Sequence, residues 1–280
     1  MIGAVGFGLG LGAAAAACIT AFGLRRFGLR RGKRSDPDRL RYYSVRKPLL
    51  GGLAVAFGFW IGIFVFIVTR DSPWADSLYP EASARALFAS LFWGTTFLVL
   101  SSSLADWRQD SGYYEWLYVL ASAAFISVNH LGIQKLSVPF LGVVELGVVS
   151  GAILTVLWVG IVVSVVEVLE SIGGAVTLAP VILASLYFAF VSPEGETVQP
   201  VMAVALVGAL LGMMPCQWVR DGIVLGKAGN KVVGFLFAAL TLVGRRKSGT
   251  ALLILPVAVC ILYVVVDSLT RIEKRGRHET

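Results

Sequence analysis

The sequence predicts an all-α, polytopic membrane protein of about nine transmembrane helices, a single transmembrane domain over residues 1–280. Three observations predict it. Hydrophobic residues make up 57% of the chain and charged residues only 15%, with a mean hydropathy of +0.80, outside the balance of a water-soluble domain. Apolar runs of about 17–25 residues, long enough to cross a ~30 Å hydrocarbon layer as helices, recur along the whole chain. Period-two alternation is absent, so the backbone is expected to satisfy its polar groups inside helices and not in a barrel.

The first span, 3–24, is Gly- and Ala-rich and is closed by arginines from Arg25 onward. It lacks a basic segment ahead of its apolar core, which argues against a cleaved signal peptide. The second, 50–69, begins after Pro48 at the Gly51-Gly52 pair, a combination that fixes a turn and permits close backbone approach. The third, 86–104, stops ahead of Asp106, and the fourth, 115–132, opens beside Trp116, an interfacial anchor. The fifth, 141–166, runs up to Glu167; the sixth and seventh occupy 175–192 and 199–216. The eighth, 231–244, is short and is expected to tilt, thin the bilayer or run further at one end. The ninth, 249–268, leaves a polar tail, 269–280, and no stretch remains for a soluble domain.

The loop 25–48 holds ten of the 24 Lys and Arg residues, and the positive-inside rule places it in the cytoplasm. The N-terminus then lies outside and the C-terminus is cytoplasmic, as are loops near 105–114, 167–174 and 217–230. On this orientation the inner side collects 18 basic residues against six outside. The net charge of +7 therefore belongs to the cytoplasmic face, where it favours anionic headgroups or phosphates. Nothing resembles a nucleic-acid module, so no nucleic-acid partner is expected. Cys18, Cys216 and Cys260 fall in separate spans without paired spacing, against both a disulfide framework and a thiolate metal site.

Four cytoplasmic segments carry polar residues close to an apolar boundary, where burial is costly. The first, "DPDRLRYYSVRKPLLGGLAV" (36–55), also reads as a basic headgroup-binding loop with a proline at a helix start. In the second, "SLADWRQDSGYYEWL" (103–117), Asp106 and Asp110 are one helical turn apart and would share a face as hard oxygen ligands for Mg²⁺. A solvated turn anchored by Trp107 and Trp116 explains them equally well. The third, "VVSVVEVLESIGGAVTL" (162–178), sets Glu167 and Glu170 at i and i+3 with no Lys or Arg nearby in sequence. A metal, a proton or a distant lysine would compensate them; alternatively the helix emerges into water before Glu167. The fourth contains "IVLGKAGNKVVGF" (223–235), which looks like an altered phosphate loop. A Walker loop needs four residues between its first Gly and the Gly-Lys, then Ser or Thr. Here three residues separate Gly222 from Gly226, Ala228 follows the lysine, and no βαβ context surrounds it.

In this order and at these span ends, the four segments resemble the polyprenyl-phosphate N-acetylhexosamine-1-phosphate transferases of glycosyltransferase family 4. Asp36, Arg46, Lys47, Pro48, Gly51 and Gly52 are similar to the family's first-loop pattern D-x-P-x-x-R-K-x-H…P-x-x-G-G. "LGIQKLSVPFLGVVELG" is similar to the short hairpin region between the family's fourth and fifth spans. "LWVGIVVSVVEVLESIGGAVTLAP" follows the cadence of W-x-x-x-x-x-N-x-x-N-L-x-D-G-x-D-G-L-A, and "ALVGALLGMMPCQWVRDGIVLGKAGNKVVGF" tracks the region of M-G-D-S-G-S-x-x-x-G-F. The departures fall on the acids. The family's paired acids after the third span become "DWR", with Asp106 kept and Trp107 in the second position. Glu167 stands for the second Asn, Glu170 for the first Asp and Gly173 for the second Asp of the fifth-span motif. Lys227 replaces the Asp of M-G-D-S-G-S, Asn230 its last Ser, and the family's His-rich loop and tenth span have no counterpart.

The resemblance implies a fold, a bacterial cytoplasmic-membrane location and a chemistry. Such transferases move a sugar-1-phosphate from a uridine diphosphate sugar to polyprenyl phosphate with Mg²⁺ held by carboxylates. An ammonium cannot coordinate a cation, so Lys227 is expected to stand in for the metal, pairing with Glu170 or Glu167. Lys227→Ala is then expected to lower thermal stability more than Lys231→Ala. The reading is a catalytically degenerate homologue with no cofactor that binds a carrier lipid or a partner protein in envelope polysaccharide assembly. Arg46, Lys47, Arg108 and Lys227 would contact lipid phosphate. The alternative is an active Mg²⁺-dependent transferase using Asp106, Asp110, Glu167 and Glu170; a transporter is disfavoured because the acids sit at span ends. For a membrane-protein partner or homodimer, the small-residue face "GAVGFGLGLGAAAA" of the first span and a surface left by the missing tenth span are the candidate contacts.

Overall fold

The computed structural model describes residues 3–30, 51–68, 82–108, 112–127, 135–138, 142–173, 178–191, 198–218 and 225–243. At several helix ends, including those carrying Asp106, Arg108, Glu170 and Lys227, the backbone alone is described. In chain order the elements are α1 (Gly3–Arg30), α2 (Gly51–Val68), α3 (Ala82–Arg108), α4 (Gly112–Ile126), β1 (Lys135–Val138), β2 (Gly142–Glu145), α5 (Val148–Gly173), α6 (Leu178–Val191), α7 (Val198–Trp218) and α8 (Gly226–Val243). Eight expected spans correspond to these helices. The ninth, 249–268, the tail and most of the basic loop lie outside the described residues.

Several boundaries differ from the sequence reading. The α5 helix starts later than 141, because Gly142–Glu145 pairs antiparallel with Lys135–Val138, Lys135 opposite Glu145. The regular structure among the described residues is thus helical apart from one hairpin. Its β-branched valines are interrupted by Pro139 and Gly142, turn formers that punctuate the run before a helix can begin. At the other end α5 continues through Glu167 to Gly173, α3 reaches Arg108 and α1 reaches Arg30, so these polar residues extend helices where loops were expected. The α8 helix starts at Gly226, whose φ of 70° is a left-handed conformation that glycine adopts without strain. The eighth span therefore gains its missing length at the N-terminal end, and the altered phosphate loop is the first turn of a helix.

The bundle is organised around α8. Every described side chain from Ala228 to Leu242 is buried, and α8 packs against α2, α3, α4, α5, α6 and α7. A helix apolar and covered on all sides belongs in a core and cannot be a surface element. Its C-terminal end is fixed by polar contacts: Trp158 Nε1 of α5 donates to Thr241 Oγ1 at 2.9 Å, and Gln199 Nε2 of α7 donates to the Leu240 carbonyl at 3.3 Å. The latter satisfies a carbonyl in the last turn, where intrahelical donors run out.

A second seam joins α1, α2 and α7. Gly10, Ala14 and Cys18 of α1 lie in register with Gly208, Gly212 and Cys216 of α7, and these helices run parallel. A Cβ on Gly208 would meet the Gly10 carbonyl, one on Gly212 would fall 2.8 Å from the Ala14 carbonyl carbon, and Cys216 Sγ stands 4.0 Å from the Cys18 carbonyl. On α2, antiparallel to α1, a Cβ on Gly58 would lie 2.6 Å from Ala17 Cβ and one on Gly62 2.8 Å from Ala13 Cβ. Small residues spaced four apart let the backbones touch. The small-residue face of α1, expected to receive a partner, is therefore occupied within the chain, while Leu11, Ile19 and Phe22 point outward. The two cysteines, apart in sequence, are neighbours across this seam.

The exterior is apolar as well as the interior. Phe64, Trp93, Leu100, Ile153, Leu183 and Phe190 are each more than half exposed, and α5 and α7 hold apolar stretches, Val148–Glu167 and Val198–Cys216, long enough to cross a bilayer. Shorter apolar helices accompany them. Such a surface suits lipid and would aggregate in water.

The packing predicts that Gly212→Ala lowers the melting temperature of the purified protein by several degrees, since overpacking costs about 1–3 kcal/mol. Gly8→Ala, where a Cβ meets nothing within 4 Å, should leave it unchanged or raise it. Equal melting temperatures for the two variants would contradict the α1–α7 seam.

Candidate functional site

The site lies where α5 ends and α8 begins. These helices run antiparallel and touch at Gly234, where a Cβ would fall 2.8 Å from Val163 Cα. Glycine at that position lets the helices approach closely enough for the next residues on the same faces to meet. One turn toward the start of α8, Lys231 Nζ stands 3.4 Å from Glu167 Oε1. The lysine side chain is 2% exposed and the glutamate 28%, so the ammonium is enclosed while the carboxylate keeps an edge toward the outside. Lys231 is among the largest fully buried side chains of the protein. A buried ammonium is costly unless an opposite charge accompanies it.

Sequence spacing continues this contact line by one more step. Val163, Glu167 and Glu170 follow one another at i, i+4 and i+7 on α5; Gly234, Lys231 and Lys227 follow at −3 and −7 on α8. Both sets trace single helical faces. In the antiparallel register set by Val163–Gly234 and Glu167–Lys231, the backbone positions of Glu170 and Lys227 come level.

The start of α8 is also the start of α2. A Cβ on Gly52 would lie 2.8 Å from Gly229 Cα and 2.9 Å from its nitrogen, so the first turns of the two helices are in backbone contact. The α3 helix arrives antiparallel: Gly94 meets Phe235, where a Cβ would fall 2.8 Å from the ring. Phe92 meets Trp60, with ring centroids 5.2 Å apart. The C-terminal turns of α3, where Asp106 and Arg108 sit on the backbone, thus reach the same end of the bundle.

The structure brings together the ends of α2, α3, α5 and α8, as the sequence suggested for the segments carrying these residues. Arg46, Lys47 and Asp110 lie outside the described residues. A cation that meets Glu167 is Lys231, which the sequence reading used only as the comparison for Lys227, whose own side chain lies outside the described residues. The signal was present: Lys231 stands in a run otherwise apolar to Val243, one turn from Gly234 and on its face. Ser102 was also missed; its hydroxyl is buried on α3 without a hydrogen-bond partner.

The sequence profile described as glycosyl transferase family 4 matches residues 87–245, more than half of the chain, from within α3 through α8. The chain belongs to glycosyl transferase family 4. Among family relatives, it is 24% identical over 228 residues to the probable undecaprenyl-phosphate N-acetylglucosaminyl 1-phosphate transferase of Bacillus subtilis (strain 168), covering 81% of this chain and 60% of that protein. It is 25% identical over 214 residues to a putative UDP-N-acetylglucosamine–dolichyl-phosphate N-acetylglucosaminephosphotransferase of Saccharolobus solfataricus (strain ATCC 35092 / DSM 1617 / JCM 11322 / P2), covering 76% of this chain and 63% of that one. The chain thus spans somewhat under two thirds of the length of these relatives. The matched region of this family-4 chain contains Glu167, Lys231 and the glycines that bring them together.

The observed pair reverses the expected ranking of the two lysines. Lys231→Ala should destabilise the protein by about 3 kcal/mol, the low end for breaking a buried pair because Glu167 is partly wet. Lys227→Ala, nearer the helix start, should cost less. Thermal melts of both variants, with Lys231→Met/Glu167→Leu as the double replacement expected to recover most of the loss, check the ranking; a smaller loss for Lys231→Ala than for Lys227→Ala would refute it.

Proposed function

We propose that this chain is a catalytically degenerate member of its family, a multi-pass protein of a bacterial cytoplasmic membrane that binds the phosphate of a polyprenyl carrier lipid without transferring sugar phosphate to it. The observation that carries this reading is the ammonium of Lys231 at 3.4 Å from Glu167. A divalent ion held about 2.1 Å from that carboxylate would stand within about 5.5 Å of the ammonium. At an effective dielectric near 20, two unit charges at ~5 Å repel by ~3 kcal/mol, and a divalent ion doubles this. The donor set at the α5–α8 junction therefore does not fit Mg²⁺, and no catalytic step is derived through it.

On this reading Glu170 and Lys227 form a second rung of the same ladder, consistent with their matching backbone register. The two ion pairs join the ends of α5 and α8 with side chains where active relatives use a metal. Arg46, Lys47 and Arg108, together with Lys227, supply fixed cations toward the lipid phosphate; charge-assisted hydrogen bonds from such groups are the strong ones. The carrier chain lies along the apolar exterior. The protein acts in envelope polysaccharide assembly by holding carrier lipid, alone or beside an active transferase.

The alternative, an active transferase with Asp106, Asp110, Glu167 and Glu170 around Mg²⁺, draws on the names of the relatives. One assay separates the two. Purified protein incubated with undecaprenyl phosphate and radiolabelled UDP-N-acetylglucosamine or other UDP-sugars should give no lipid-linked product with or without Mg²⁺. Mg²⁺-dependent product that disappears in Glu170→Gln would establish the active reading.

A further inference from the structure

Two helices begin side by side at the inner end of the bundle. The α2 and α8 N-termini are in backbone contact at Gly52 and Gly229, and the helices run away from that contact together. The N–H groups of each first turn have no intrahelical acceptor, and the positive ends of the two helix dipoles coincide. Neither first turn carries an acidic residue.

A second observation singles out the same place. The Ser102 hydroxyl is 2% exposed and has no hydrogen-bond partner. Several serines and threonines of α3, α4 and α5 return a hydrogen bond to their own preceding turn: Ser90 to Leu87, Thr95 to Leu91, Ser101 to Phe97, Ser122 to Tyr118 and Ser164 to Gly160. Ser102 declines the Leu98 carbonyl that this pattern would offer, so its hydroxyl turns away from its own helix into the space between helices. Its height follows from the packing. Gly94 is level with Phe235, and Ser102, eight residues further along antiparallel α3, is level with residue 227 in the first turn of α8. It shares the inward stripe of α3 with Leu91, Thr95 and Leu98. In apolar surroundings an unused hydroxyl is costly, and an absent ligand accounts for it.

We propose that the junction of α2, α3 and α8 is a phosphate site, in which the first-turn N–H groups of α2 and α8 donate to the anion and the Ser102 hydroxyl adds a donor from α3. This rests on the carrier-phosphate reading and deepens it by assigning the phosphate to the α2–α3 side of α8, apart from the Glu167–Lys231 pair on the α5 side. Ser102 is then a binding residue that distinguishes a phosphomonoester from the corresponding alcohol.

The test is a thermal-shift titration of the purified full chain in detergent with three probes: farnesyl phosphate, farnesol and inorganic phosphate. Wild-type protein should be stabilised by farnesyl phosphate and not by farnesol; stabilisation by inorganic phosphate as strong as by farnesyl phosphate would assign the site to the free anion instead of the lipid. No stabilisation by any phosphate probe would defeat the carrier-phosphate reading itself. Given wild-type binding, Ser102→Ala should weaken farnesyl phosphate about tenfold or more, the loss of one hydrogen bond to a charged group. Its ligand-free melting temperature should be equal or higher, since an unpaired buried hydroxyl has been removed. Ser102→Cys, which keeps the volume and weakens the donor, should show the same selective loss. Ser185→Ala removes the unpartnered hydroxyl of α6 and should leave affinity unchanged. Wild-type affinity in Ser102→Ala and Ser102→Cys would overturn the assignment while leaving the carrier reading intact.

Discussion

The contact between Lys231 and Glu167 is the constraint on which the end of the bundle where α8 begins depends. A buried ammonium is costly without an opposite charge, so the ends of α5 and α8 cannot separate at this contact without exposing a charge or leaving it unpaired there. The pair needs close helices, and glycines provide them: Gly234 against Val163 brings α5 to α8, and Gly229 against Gly52 brings α2 to the same turn. A side chain at any of these glycines would push apart the elements that hold the site. Charge and packing thus specify one geometry from two directions.

That geometry is carried by helices of different character. The α1–α2–α7 seam is a backbone-to-backbone contact of glycine and alanine with little polar content, and it gives the bundle a rigid side. The α5–α8 seam is polar at both ends, with Trp158 and Thr241 near the C-terminus of α8, where Gln199 of α7 joins them, and the ion pair near its start. Buried as it is, α8 cannot slide or rotate without breaking contacts at both ends. This rigidity suits a fixed electrostatic site. On the reading proposed above, side chains gather the ends of α5 and α8, and the junction of α2, α3 and α8 is left for an anion.

Much of this was legible in the amino-acid order because lipid imposes a simple rule: apolar runs become helices, and their positions along the chain set which ends meet. The eight described helices follow from that rule, and the order of their ends along the chain lets the segments around Asp106, Glu167 and Gly226 come together. The exact cation did not follow. Lys227 sits in the striking position of a family motif, whereas Lys231 looked like an ordinary boundary residue, and only the face shared with Gly234 distinguishes it. The small-residue face of α1 was legible as an interface, but sequence cannot tell an intramolecular neighbour from a partner. Gly226 explains why α8 began earlier than its apolar run: a left-handed residue starts the helix among polar residues that hydropathy assigns to a loop. Ser102 was invisible because its meaning lies in a hydrogen bond it does not make.

If side-chain cations have replaced the metal, the protein should be indifferent to divalent ions at this site. Manganese titration followed by electron paramagnetic resonance, on purified protein in detergent, measures this directly. The account predicts that added Mn²⁺ remains free in solution up to stoichiometric excess, for wild type and Glu167→Gln alike. One tightly bound Mn²⁺ per chain, released in Glu167→Gln, would contradict it.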